Sequence, residues 1–159
     1  MRGSRCRAAA APSVPERGLA PVWCKSIYAV KGTHGAHLIP PRDHEQAHVT
    51  ALTETVQSLG GTPAAKPTFM FPDGTFTNKN MFLTAASMFE ELGVTAYHGQ
   101  VPLIQSAEIL GAAAAIAGVE SRHAAVIADL LGGDPFPAPF EASKPMDEVL
   151  AAAGQFIRS

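Results

Sequence analysis

From Pro41 onward the apolar residues recur every three or four positions in three long runs, the period of a helix with one buried face. The first run carries Pro41 in its opening turn and Asp43 near the positive helix end, and stops at Gly60-Gly61, predicting a helix over 41–59. The second, capped by Thr77 or Asn78, runs to about Gly99, and the third, capped by Ser106, runs to Leu131 before Gly132-Gly133. Between the first two, residues 63–77 read as a connection turning at Asp73-Gly74, with Phe69, Phe71 and Phe76 covering one end of a bundle. The closely spaced prolines of 135–140 force extended chain, after which Ser143 is the expected cap of a short last helix through Val149, Leu150 and Phe156. The fold class is all-α, an antiparallel helix bundle.

Residues 1–40 follow a different rule. Pro12, Pro15, Pro21, Pro40 and several glycines break that stretch, so the chain divides into an irregular segment, 1–40, and a helical domain, 41–159. Trp23, Ile27, Tyr28 and Val30 suit a short element packed on the bundle, a more economical reading than a metal role for His34 and His37.

Within the helical runs one motif occurs twice, Glu45-Gln-Ala-His48 and Glu120-Ser-Arg-His123. Residues three apart share a helix face, so each copy offers a carboxylate and an imidazole to a common point. Glu45 and His48 share a stripe with Leu52, Val56 and Leu59; Glu120 and His123 align with Ile116, Ile127 and Leu130. On the helix between, Glu90 falls in line with Leu83, Ala86, Val94 and Tyr97, whereas Glu91 shares the wet stripe of Thr84, Ser87, Thr95 and His98. A single Glu-x-x-His is common by chance, and a lone His on an apolar face is ordinarily a hydrogen-bonded core residue. Two copies on core faces with an inward Glu between them are different, because buried carboxylates need a partner, and a metal ion supplies one. Tyr97 is core packing or a phenol beside the site, and His44, on a different face from Glu45, reads as solvated.

Composition narrows the function classes. At 47% hydrophobic and 16% charged, the chain is ordinary for a globular domain, and the Ala/Gly-rich run 109–119 reads as a close-packed bundle helix rather than a membrane span. The net charge of −2 conceals an imbalance, since residues 1–38 hold six of the twelve Lys/Arg and one of the fourteen acids. The acidic remainder argues against nucleic-acid binding. Cys6 and Cys24 have no Cys-x-x-Cys spacing and no His to activate them, and neither a phosphate loop nor a Gly-x-Ser-x-Gly elbow is present. Arg2, Arg5, Arg7 and Ala8–Ala11 weakly resemble a transit peptide, and the apolar stretch is too short for a secretory signal; the compartment is left open.

Glu45-Gln-Ala-His48-Val, the Leu59-Gly-Gly-Thr-Pro63 stop, Phe89-Glu-Glu-Leu-Gly-Val-Thr-Ala-Tyr97, Val119-Glu-Ser-Arg-His-Ala124 and the Pro-Phe-Pro-x-Pro-Phe tail resemble the ferritin-like domain family that includes plant desiccation-related proteins. The resemblance covers about 41–157. It implies a rubrerythrin-like four-helix bundle whose di-iron site takes a Glu from each of two helices and a Glu-x-x-His from each of the other two. Glu45, His48, Glu90, Glu120 and His123 match five of these ligands. The sixth should come from a helix before Glu45, but residues 1–40 contain a single acid, Glu16 beside Pro15, so the family's first helix is expected to be missing or replaced. A truncated or misread start would account for this and for the change of charge near residue 39. The resemblance and the ligands together imply iron, with manganese as the alternative, and ferroxidase- or peroxidase-like chemistry; the competing expectation is a non-catalytic desiccation- or stress-associated bundle with a degenerate site. A groove left by the missing helix would be filled by a second copy, making a homodimer.

Overall fold

The computed structural model describes residues 39–158. Among them, four helices follow one another: α1, Ile39–Ser58; α2, Lys79–Gln100; α3, Ala107–Leu130; and α4, Met146–Gly154. A two-residue strand β1, Thr68–Phe69, pairs antiparallel with β2, Ile157–Arg158. The expected all-α class holds, with this short ladder as its one departure among the described residues. The expectations for Glu16, Trp23–Val30, His34, His37, the cysteines and the absent first helix lie outside the described residues, except that α1 already includes Ile39 and Pro40.

Local chemistry sets the helix limits. The Asn78 side chain accepts the backbone N–H of Asn80 and Met81, and Ser106 Oγ accepts that of Ile109, satisfying amides that have no partner inside the first turn. The two Gly-Gly stops are one device used twice. Gly60 and Gly132 take positive φ, 77° and 75°; Gly61 and Gly133 then return their N–H to the carbonyls of Val56 and Ala128 five residues back, closing the last turn.

The antiparallel pair α2–α3 is the main interface of the molecule, and α4 packs on α2. Its core runs through Phe82, Leu83 and Val94 of α2 and Ala117, Ala124 and Ile127 of α3, with Glu90, Glu120 and His123 buried in the same seam. The stripes expected of α2 and α3 are therefore real. That of α1 holds less well, because Leu52 and Leu59 are exposed, at 46% and 69%, while Val56 is half-buried. The acid-and-imidazole end of α1 bears on the α2–α3 pair, and its apolar stripe runs on past that contact. In α3, likewise, Gly111, Ala112, Ala114, Ala115 and Gly118 are exposed among the described residues, so its first half is not the close-packed helix expected: α2 covers one side of it.

The tail from α3 back to β1 depends on contacts distant in sequence. Lys144 donates its backbone N–H to the carbonyl of Thr95, laying the chain across α2 and burying Thr95, which the sequence pattern had placed on the wet stripe. The cap of α4 is Pro145, itself extended, rather than Ser143, because a residue that precedes proline is disfavoured in the helical region and Lys144 therefore does not open the helix. Beyond α4, Phe156 leaves the helix and joins the aromatic cap: Phe71 packs within 5.1 Å of Phe76, 5.6 Å of Phe156 and 5.8 Å of Phe89, centroid to centroid. The connection 63–77 thus caps the bundle as expected, with Gly74 at φ 87° in its turn.

Two substitutions test this packing. A Cβ on Gly99 would collide with the carbonyl oxygen of Lys144, whereas one on Gly111 meets nothing within 4 Å. Gly99→Ala is expected to lower the unfolding free energy by about 1–3 kcal/mol through overpacking, and Gly111→Ala to raise it by about 0.5–1 kcal/mol through helix propensity, both read from urea denaturation. Phe71→Ala, removing the ring at the centre of the cap, should cost about 3 kcal/mol in the same assay.

Candidate metal centre

Glu-x-x-His on α1 and on α3, and Glu90 on α2, are brought to one place. One ligand atom each from Glu45, Glu90, Glu120 and His123 lies within 4.8 Å of the others. Nδ1 of His123 is 3.2 Å from Oε1 of Glu45, 3.3 Å from Oε2 of Glu90 and 3.4 Å from Oε2 of Glu120. His48 stands at the side of this group, its Nδ1 3.0 Å from Oε1 of Glu120 and 3.6 Å from Oε1 of Glu45. Glu120 therefore spans the two imidazoles, one oxygen toward each. Glu90, Glu120 and His123 are buried, and Glu45 and His48 half-buried.

The helices explain the convergence. Glu120 and His123 share one face of α3, Glu45 and His48 one face of α1, and Glu90 sits on α2 in the α2–α3 seam between Leu83 and Val94. Glu91, one residue on, is exposed as expected. A cavity of about 20 Å³ lined by Phe82, Phe89, Ala86 and Glu90 puts hydrocarbon against one side of that carboxyl group.

Burial of these groups has electrostatic consequences. Burial is the main cause that pushes Glu90 from 4.5 to about 7, with Glu45 and Glu120 adding to it and His123 opposing. Burial disfavours charge on His123, but Glu120, Glu45 and Glu90 outweigh it and raise the imidazole from 6.5 to about 11. Glu120 is held below its ordinary value: burial works against this, and His123, Glu90 and His48 overcome it. Tyr97 is raised to about 12, first by burial and then by Glu120 and Glu45.

These ion-pair contacts leave hydrogen-bonding capacity unused. Oε1 of Glu45, Nδ1 of His48 and Nδ1 of His123 are buried and have no hydrogen-bond partner among the described residues. A carboxylate oxygen from each of three glutamates and one imidazole nitrogen, gathered this closely, could hold a metal ion, with the His48 nitrogen at the side. The residues present fit such an ion.

A family model for the ferritin-like domain matches residues 28–133. The chain belongs to the ferritin-like domain family. No match was found among curated proteins. Glu45, Glu90, Glu120 and His123 form a group that could hold a metal ion, and no helix of the described residues is long and apolar enough to cross a membrane. Tyr97 is half-buried on the Glu90 side of α2, beside a pocket of about 180 Å³ lined also by Leu52, Gln100, Met146 and Val149. His98 is half-buried, its Nδ1 2.9 Å from the Val94 carbonyl, and takes no part in the cluster.

One residue outside the expected ligand set reaches the site. His44, expected to be solvated, is exposed on one side, yet its Nδ1 lies 3.0 Å from Nε2 of His123. The signal was available: His44 and His48 are four residues apart, a spacing that puts them on one helix face.

The raised Glu90 gives a test of the metal-free protein. A carboxyl group with a folded pKa above its unfolded value stabilises the fold fully below pH 4.5 and loses that contribution as pH rises through about 7. Relative to wild type, Glu90→Gln should therefore gain stability between pH 5 and pH 8, by up to a few kcal/mol, in urea denaturation followed by circular dichroism. An unchanged difference across that range would show that Glu90 does not hold its proton.

Proposed function

We propose that this ferritin-like protein binds iron through Glu45, His48, Glu90, Glu120 and His123 and serves oxidative chemistry at that centre. The observation that carries the proposal is the convergence of one ligand atom each from Glu45, Glu90, Glu120 and His123 within 4.8 Å of one another, with His48 at the side. Carboxylate oxygens and imidazole nitrogens together suit iron or manganese. Iron bound there would supply one-electron redox chemistry toward oxygen or peroxide.

The chain's own residues account for the rest. With the protons of Glu90 and His123 given up on binding, Glu45, Glu90 and Glu120 would bring negative charge to offset a divalent cation, and Nδ1 of His48 and of His123 would supply its nitrogen ligands. Glu120, with one oxygen toward each imidazole, would hold the metal together with both histidines. The seam of Leu83, Val94 and Ile127 limits water around the donors. Tyr97, kept protonated by burial and by the two nearby carboxylates, is an uncharged phenol in the same seam.

A second reading is a bundle associated with stress or desiccation that has no turnover. It is favoured by the ligand count, since no fourth carboxylate joins the cluster among the described residues.

Elemental analysis of protein purified without chelator separates the two. Wild type is expected to hold about two irons per chain, and the Glu45→Ala/Glu120→Ala double variant none. No metal in either, even after anaerobic Fe(II) loading, would refute the metal reading and leave the structural one. Binding should also displace the protons held by Glu90 and His123, so affinity is expected to rise between pH 6 and pH 8 by about tenfold per pH unit for each proton released. Fe(II) titrations at several pH values check this.

A further inference from the structure

We propose that His44 is a positioning residue that accepts the Nε2–H of His123 and so holds that ring with Nδ1 turned toward the three carboxylates; the role it implies in metal binding rests on the reading above.

The geometry points to a directed hydrogen bond. Nδ1 of His44 and Nε2 of His123 are 3.0 Å apart, the ring planes differ by 9°, and the centroids are 5.3 Å apart. With the nitrogens so much closer than the centroids and the rings nearly parallel, the two rings meet edge to edge, along the direction of an N–H and a lone pair. The two nitrogens of His123 thus have different tasks. Nδ1 faces Glu45, Glu90 and Glu120, and Nε2 faces His44.

The proton assignment follows. If Nδ1 of His123 is to donate its lone pair to a metal, the neutral ring must carry its proton on Nε2. That proton needs an acceptor, because His123 is only 5% exposed. His44 supplies one, and its own proton then sits on the nitrogen that faces away from His123. Without His44, Nε2 has no other hydrogen-bond partner among the described residues, and the ring is free to turn that nitrogen toward the carboxylates instead. His44 reaches across from α1 to α3, so the same bond links the two Glu-x-x-His helices.

Two variants and two readouts test this. His44→Phe keeps a flat ring of similar size but has no acceptor; His44→Asn places an amide oxygen near the position of Nδ1. Co(II) alone, titrated optically into metal-free protein, should bind His44→Phe about 10- to 100-fold more weakly than wild type, and His44→Asn should recover most of the loss. Equal affinity of His44→Phe and wild type would overturn the proposal. Nitrogen-15 NMR of the metal-free protein supplies the independent readout: a slowly exchanging N–H on Nε2 of His123, coupled to Nδ1 of His44, is expected in wild type and lost in His44→Phe. Its absence from wild type would equally overturn the proposal. A wild type that shows this N–H but binds no Co(II) or Fe(II) would refute the metal reading while leaving the orienting bond in place.

Discussion

Three carboxylates and two imidazoles closed into one seam impose the constraint on which this bundle turns. Desolvating like charges at that spacing is costly, and the protein meets the cost in part by keeping a proton on Glu90 and a positive charge on His123. Nδ1 of both histidines and an oxygen of Glu45 are held there by ion-pair contacts of 3.0–3.6 Å rather than by well-formed hydrogen bonds. A core arranged in this way gives up stability, since apolar residues of similar volume would fill the seam without such a penalty.

The rest of the fold acts to hold that seam. Leu83 and Val94 bracket Glu90 above and below, and the caps at Asn78 and Ser106 and the stop at Gly132 fix where α2 and α3 begin and end, hence the height at which Glu90 meets Glu120. α1 contributes differently. Its apolar residues Leu52 and Leu59 remain exposed, and it is joined to the pair through Glu45, His48 and His44. The polar cluster is then part of what docks α1, so site and architecture are not separable on that side.

Much of this was legible in the sequence because it depends on short-range spacing. The three-and-four period separated Glu90 from Glu91, aligned Glu120 and His123 with Ile127, and the Gly-Gly pairs marked two helix ends. What escaped depends on partners far along the chain. Thr95 reads as a surface residue until Lys144 crosses over it. The β1–β2 ladder, two residues on each side, has no periodicity to detect. The case of His44 is different: its spacing to His48 was readable, but its single-residue offset from Glu45 pointed the other way.

The ladder also bears on the order in which the molecule is made. α2 and α3 are neighbours in sequence and can pair while synthesis continues, but β1 waits for β2, and the Phe71–Phe76–Phe89 cluster waits for Phe156, until the last residues of the described chain have been added. During that interval the aromatic end of a growing chain lies open on the ribosome. Its final closure is a late, long-range event, and a nascent chain stalled near α4 would display those rings to whatever chaperone stands at the exit tunnel.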